Sequence, residues 1–380
     1  MDTISPKDKN PDKKEICLVT LTPPHYREEI FRLLDSRMNC KFILGDMNPS
    51  IKRIPKGTLK NAVDVKSVVI PKTPFYWLKS VLRNTKDADV IIDDMGIFCL
   101  TSWGLILLAK FRSQKIIIWS HGWYGREGFA KKWLKRLYSS ITDGMFLYGN
   151  YAKTLMEKNG FDASKLHVIH NSLSYTIQKA IRGKLSKTNI YEDHFGNKSP
   201  VLIFIGRLTQ VKRLDLLIQA LVTLRDSGKY FNLVLVGDGS IKSELETLAS
   251  QKKIANQIWF WGACYQEDKN AELLYNADLC VAPGNIGLTA MHAMMYGCPC
   301  MSHNNFPMQM PEFEAIRPNK SGDFFNYLDV TDMASKIANW FENPEYNREK
   351  IRKYCFDEID SNWNPNNQIE IIAQTVNDIK

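Results

Sequence analysis

Short apolar runs alternate along most of the chain with stretches whose apolar positions recur every three or four residues. Runs at 16–20, 41–44, 68–70, 90–92, 115–119, 145–147 and 167–169 read as buried strands. Helical patterns at 28–34, 98–109, 129–139 and 151–158 lie between most of them. Strand alternating with helix predicts an α/β fold built on a parallel, doubly wound sheet. Residues 185–200, polar and broken by Gly and Pro, interrupt the rhythm and read as a linker. The alternation then restarts. Strands at 201–205, 231–236, 258–261, 279–282 and 300–302 are separated by helices at 214–227, 241–251, 270–276 and 288–296, and helices at 333–341 and 368–378 close the chain. Two doubly wound halves facing across a cleft could hold a donor on one side and an acceptor on the other.

Composition narrows this picture. The 380 residues, 44% of them hydrophobic, can bury a large core, and the length suits two or three domains. Residues 1–15 are charged, lack the apolar centre of an export signal and read as a disordered tail. The longest apolar segment, 97–111, is too short to span a bilayer. Eight scattered cysteines without a CxxC pair read as reduced thiols, which points to the cytoplasm. Cys298 and Cys300 flank Pro299, but a zinc site needs two more ligands.

Charge divides unevenly. Residues 1–198 hold 33 of the 50 Lys and Arg and 19 of the 41 Asp and Glu, a net +14, whereas 199–380 carry −5. A basic half suits a membrane, a nucleic acid or a phosphate-bearing substrate, although lysines that only maintain solubility give the same balance. No nucleic-acid recognition motif accompanies it. Within that half, 126–138 (REGFAKKWLKRLY) puts Lys131, Lys132, Lys135 and Arg136 on one helix with Phe129, Trp133, Leu134 and Leu137. The pattern fits either an anionic membrane surface or a solvated helix face.

The most suggestive chemistry lies in VLIFIGRLTQVKRLDLL, 201–217. Gly206 permits a tight turn after a strand, and Arg207 and Lys212 sit on the loop before a helix. Open α/β sheets bind ligands there, and two cations suit a diphosphate, though a solvated turn can look the same.

These residues also carry a resemblance. GRLTQVKRLDLLIQAL, LVLVGDGSIKSELETLA, IWFWGAC and LLYNADLCVAPGNIGLTAMHAMMYGCPCMSH resemble, in order, the C-terminal domain of GT-B glycosyltransferases of the retaining family-four (glycosyl transferases group 1) type, over most of 201–330. PPHYREEIFRLL and IWSHGWYGREG resemble the opening and the His-Gly segment of polysaccharide-assembling members, the O-antigen and capsule branch. The resemblance implies a GT-B fold of two Rossmann-like domains. Residues 16–184 would bind acceptor, 201–345 would bind a nucleotide sugar such as a UDP- or GDP-sugar, and helices in 346–380 would cross back to the first domain.

Roles follow by position. Arg207 and Lys212 would neutralise the leaving diphosphate, after the turn at Gly206. Asn285, Ile286, Gly287 and Leu288 would offer amides at a helix start. Gly262 and Cys264 would bracket the base, and His121 would reach the donor from the opposite domain; without the resemblance it reads rather as a buried histidine bonded to a carbonyl. His25, Tyr26 and Arg27 replace glycines of many relatives and suit an acceptor, or form a rigid surface loop.

Two departures stand out. The family's Glu-x7-Glu falls on Gly284 and His292, so both carboxylates are missing; Glu312 or Glu314 would take up the lost contact. The resemblance further implies a retaining, front-face mechanism without a general base, no cofactor, and no metal. Asp87 and Asp89 precede a strand, which is the wrong place for a chelating pair. The implied role is hexosyl transfer to a lipid-linked glycan at the inner face of a bacterial membrane, as a cytoplasmic, peripheral protein. A nucleotide-sugar 2-epimerase would need cleft carboxylates that are absent, and the intact Arg207, Lys212, His121 and Gly287 argue against a non-catalytic partner subunit.

Overall fold

The computed structural model describes residues 14–49 and 51–379; residues 1–13, most of the segment read as a tail, lie outside it. Lys14 and Glu15 are fixed: the Lys14 ammonium donates to the carbonyls of Val376, Asn377 and Ile379.

The first half runs β1 (Ile16–Thr20), α1 (Glu28–Met38), β2 (Lys41–Leu44), β3 (Ala62–Asp64), β4 (Ser67–Val69), β5 (Tyr76–Leu78), α2 (Val81–Asn84), β6 (Val90–Asp94), α3 (Leu100–Phe111), β7 (Lys115–Ser120), α4 (Phe129–Ser140), β8 (Gly144–Leu147), α5 (Asn150–Lys158) and β9 (Leu166–Val168). Its parallel sheet has the order β3-β2-β1-β6-β7-β8-β9. Val68 pairs with Trp77 in a separate antiparallel hairpin, so the run predicted at 68–70 is not a strand of the main sheet; β3 holds that edge.

The second half follows as α6 (Tyr175–Arg182), α7 (Ile190–Phe195), β10 (Val201–Ile205), α8 (Leu214–Asp226), β11 (Asn232–Val236), α9 (Lys242–Gln251), β12 (Ile258–Gly262), α10 (Glu267–Asn276), β13 (Leu279–Ala282), α11 (Leu288–Met295), β14 (Cys300–His303), β15 (Gly322–Phe325), α12 (Val330–Glu342), α13 (Arg348–Ser361) and α14 (Pro365–Asp378). Its parallel sheet has the order β12-β11-β10-β13-β14-β15. In each sheet the strand order reverses beside the first strand, at β1/β6 and at β10/β13, the place where open α/β sheets characteristically bind ligands at the carboxyl ends of the strands.

The domain limits differ from the sequence reading. Ile169 belongs to the first core, whereas Tyr175 and Tyr191 are buried in the second, and the Tyr191 hydroxyl donates to the Leu273 carbonyl at 2.7 Å. The chain therefore crosses at 170–172, and the stretch read as a linker contains a helix of the second body. At the far end, α13 packs its Ile351, Cys355 and Ile359 into the second core, and only α14 returns. Asn364 caps α14 by accepting from the Asn367 amide, and Pro365 starts it. Ile369, Ile372 and Val376 then bury against the first sheet, about 1.5–3 kcal/mol for each such side chain.

Candidate active site

On the second body, β10 ends at Ile205, and the turn beyond it presents the two cations differently. Arg207 is exposed, and its side chain meets no partner among the described residues. Lys212 is half-buried and donates to the carbonyl and the side-chain oxygen of Asn285, at 2.6 and 2.8 Å. Burial pushes its ammonium down to about 8, with the Arg207 charge adding to the fall and Glu312 opposing it.

Gly284 explains how the two loops come so close. Its amide donates to the Lys212 carbonyl at 2.9 Å, and a Cβ there would lie 2.0 Å from the Val211 carbonyl oxygen. No side chain fits at the position where the family's first glutamate would stand. Gly287, at φ 56° and ψ −148°, turns the chain into α11, and no side chain caps that helix. Thr289 holds the helix to the end of β10 by donating to the Ile205 carbonyl at 2.8 Å. The Ile286 amide is already taken by Gln309 at 3.0 Å and its side chain is fully buried, so it packs the turn. Lys212, within reach of the Arg207 charge, therefore meets the uncapped start of α11 at Asn285, an arrangement suited to an anion.

Gly262 donates nothing by side chain, and its carbonyl accepts from the Gly237 amide at 2.8 Å. Cys264 is half-buried and is followed by an exposed Tyr265. His292 is not free. Its Nε2 donates to Glu267 Oε1 at 2.9 Å, and the same oxygen accepts from Tyr296 at 2.6 Å and Gln178 at 2.9 Å. Burial opposes ionisation of Glu267, but these hydrogen bonds outweigh it and hold the carboxyl down to about 2. A carboxylate thus stands beside His292, supplied by α10. No local spacing announces it, because the pair is separated by 25 residues.

Across the cleft, His121 directly follows β7. Its ring lies 4.8 Å from that of Tyr148, and its Nδ1 is buried without a partner. Burial, then the charges of Arg27 and Lys135, push its pKa down to about 4, so the ring is neutral near pH 7. Glu312 comes toward it from the second body. Its Oε1 accepts from Asn171 at 2.9 Å, its Oε2 is buried without a partner, and burial raises its pKa against the charges of Lys212 and Arg27.

Two assignments change. Both oxygens of Glu314 are taken by the amides of Asn150 and Tyr151, at 2.7 and 2.8 Å, so it caps α5 across the domain interface. Arg27, read as suiting an acceptor or as a surface residue of a rigid loop, is 8% exposed. It bonds Asp94 at 2.9 Å and the Tyr148 hydroxyl, and lies 5.3 Å from the Trp119 ring. Its charge is spent inside. Of that loop, His25 is exposed with a ring nitrogen 3.1 Å from the Lys52 carbonyl, and Tyr26 is half-buried.

Residues 187–355 match the family described as glycosyl transferases group 1. The chain is 23% identical over 298 residues to EpsD of Bacillus subtilis strain 168, named as a glycosyltransferase, covering 73% of this chain and 76% of EpsD. It is 34% identical over 104 residues to a GDP-mannose-dependent alpha-(1-6)-phosphatidylinositol dimannoside mannosyltransferase of Mycobacterium tuberculosis, covering 27% of this chain and 26% of that enzyme. The crystal structure of Anabaena Alr3699/HepE in complex with UDP superposes with a TM-score of 0.70 at 15% identity, covering 96% of this chain and 99% of that one. Residues 187–355 thus carry a domain of the glycosyl transferases group 1 type, and the chain has the GT-B fold.

Proposed function

We propose that the protein transfers a hexose from a nucleoside-diphosphate sugar to a glycan acceptor with retention, in the assembly of a cell-surface polysaccharide or glycoconjugate. One observation carries the reading: Lys212, within reach of the Arg207 charge, meets the uncapped start of α11 at Asn285, while the neutral His121 of the first domain faces Gln309 and Pro311 of the second. The cations suit the donor's diphosphate. In the step, the acceptor oxygen bonds to the anomeric carbon as the bond from that carbon to the diphosphate breaks, and the acceptor's proton passes to the released phosphate. Lys212 and Arg207 stabilise the charge that develops on the leaving group, a role otherwise filled by a metal ion. Glu312, with one oxygen unpaired, stands where it can accept from a sugar hydroxyl in place of the missing glutamate.

Among the described residues no helix is long and apolar enough to cross a membrane. Phe129 and Trp133 are 88% and 61% exposed on the basic helix α4, which supports peripheral contact with an anionic membrane. HepE was crystallised with UDP, and the mycobacterial relative is named for GDP-mannose, so both nucleotides belong in the test. Calorimetry of the full chain with UDP, GDP, dTDP and CMP should show one nucleoside diphosphate bound without added metal, and EDTA should leave the affinity unchanged. Absence of binding by all of them would overturn the reading.

A further inference from the structure

In the first sheet the crevice at the strand-order reversal is closed by the protein itself. Thr20 at the end of β1 donates to Asp94 at the end of β6 at 3.0 Å, and Arg27 completes the plug at 2.9 Å. The open space lies one strand further on, beyond the carboxyl ends of β6 and β7. It is a pocket of about 250 Å³, walled by Phe98, Trp123, Tyr124 and Tyr138, and His121 also lines it. It therefore adjoins the histidine placed at the reacting centre.

Several of its groups are unspent. Trp123 is 3% exposed, yet its indole N–H has no partner, and neither has His121 Nδ1. Lys135 at the pocket is committed to Glu127 at 2.7 Å and the Gly122 carbonyl at 2.8 Å. Lys131 is not: it is exposed, lies 5.9 Å from the Phe98 ring, and pairs with no carboxylate among the described residues. Past Lys131, α4 turns Phe129 and Trp133 to solvent.

We propose that this pocket, rather than the loop 25–27, receives the acceptor, and that the acceptor is an anionic amphiphile. Its sugar ring lies against the aromatic walls with a hydroxyl accepting from Trp123, its phosphate meets Lys131, and its apolar chain runs along Phe129 and Trp133. Aromatic faces and an unused N–H suit a sugar, and an unpaired ammonium suits a phosphate. The adjacent apolar side chains suit a hydrocarbon, and the +14 balance of the first half favours any anion. The inference rests on the glycosyltransferase reading for its direction, since it places an acceptor beside His121.

The test is calorimetry on the full chain with four probes: dodecyl glucosyl phosphate, dodecyl glucoside, glucose 1-phosphate and dodecyl phosphate. The glucosyl phosphate amphiphile should bind at least about tenfold tighter than each of the others. Lys131→Gln should erase its advantage over dodecyl glucoside, and Trp123→Phe its advantage over dodecyl phosphate. Equal binding of dodecyl glucosyl phosphate and dodecyl phosphate would make the face a general lipid-headgroup surface and overturn the pocket. So would variants that bind like the native chain. Both variants should keep the native affinity for the nucleoside diphosphate, which shows that they fold. A native chain that binds the amphiphile but no nucleotide would sink the transferase reading and leave the pocket standing.

Discussion

The Lys212 ammonium lies 2.6 Å from the backbone carbonyl oxygen of Asn285. A cation hydrogen-bonded to neutral oxygens, with no carboxylate among the described residues bonded to it directly, is preorganised for an anion that arrives with substrate.

Lys212→Ala should lower kcat by about 100-fold or more with the fold intact, measured by release of nucleotide beside circular dichroism. The same lysine sets a pH limit. It carries its charge below about 8 and loses it above, so kcat/KM for the donor should fall as pH rises through about 8. Lys212→Arg should remove that alkaline limb, because a guanidinium stays charged. Since His121 is neutral down to about 4, it should give no acid limb near the usual histidine value.

Restoring the family's first glutamate should fail. In Gly284→Glu the new Cβ would stand 2.0 Å from the Val211 carbonyl oxygen and 2.7 Å from the Lys212 Cα. The two loops must part, at a cost of about 1–3 kcal/mol for overpacking. A lower melting temperature together with weaker nucleotide binding is the expected result; a stable variant with tighter donor binding would contradict this account.

Arg27 should behave as a residue of the interior. Arg27→Met leaves the half-buried Asp94 with only Thr20 as a partner among the described residues, a loss of about 2–4 kcal/mol, below the roughly 3–5 kcal/mol of a fully buried pair. Urea unfolding should show the loss. The double variant Arg27→Met/Asp94→Asn should recover part of it, which a phosphate-binding arginine would not do.

Glu267 should contribute to acid stability. Its folded pKa of about 2 lies below the ordinary 4.5, so its contribution is complete above 4.5 and is lost as pH falls from 4.5 toward 2. With the carboxylate about one-third exposed, roughly 1–2 kcal/mol is at stake. Glu267→Gln should flatten the stability curve across that window, measured by unfolding at pH 2 to 6.

The order of strands and helices was legible in the chain because buried parallel strands are short apolar runs and the helices between them keep a 3.6-residue period. The placement of Gly206, Arg207 and Lys212 on one strand-to-helix loop, and of 285–288 at one helix start, was legible too, because each lies within a short local stretch. Tertiary structure decided what local pattern does not carry. Arg27 follows two prolines and reads as a surface residue, but the reversal of strand order sets it between β1 and β6 against Asp94, 67 residues away. His292 reads as the substitute for a carboxylate, yet the packing of α10 on α11 supplies Glu267. Glu314 reads as a donor ligand, and domain closure makes it the cap of α5. In each case the partner comes from a distant part of the chain, and a charged side chain's role depends on which partner burial puts within hydrogen-bond reach.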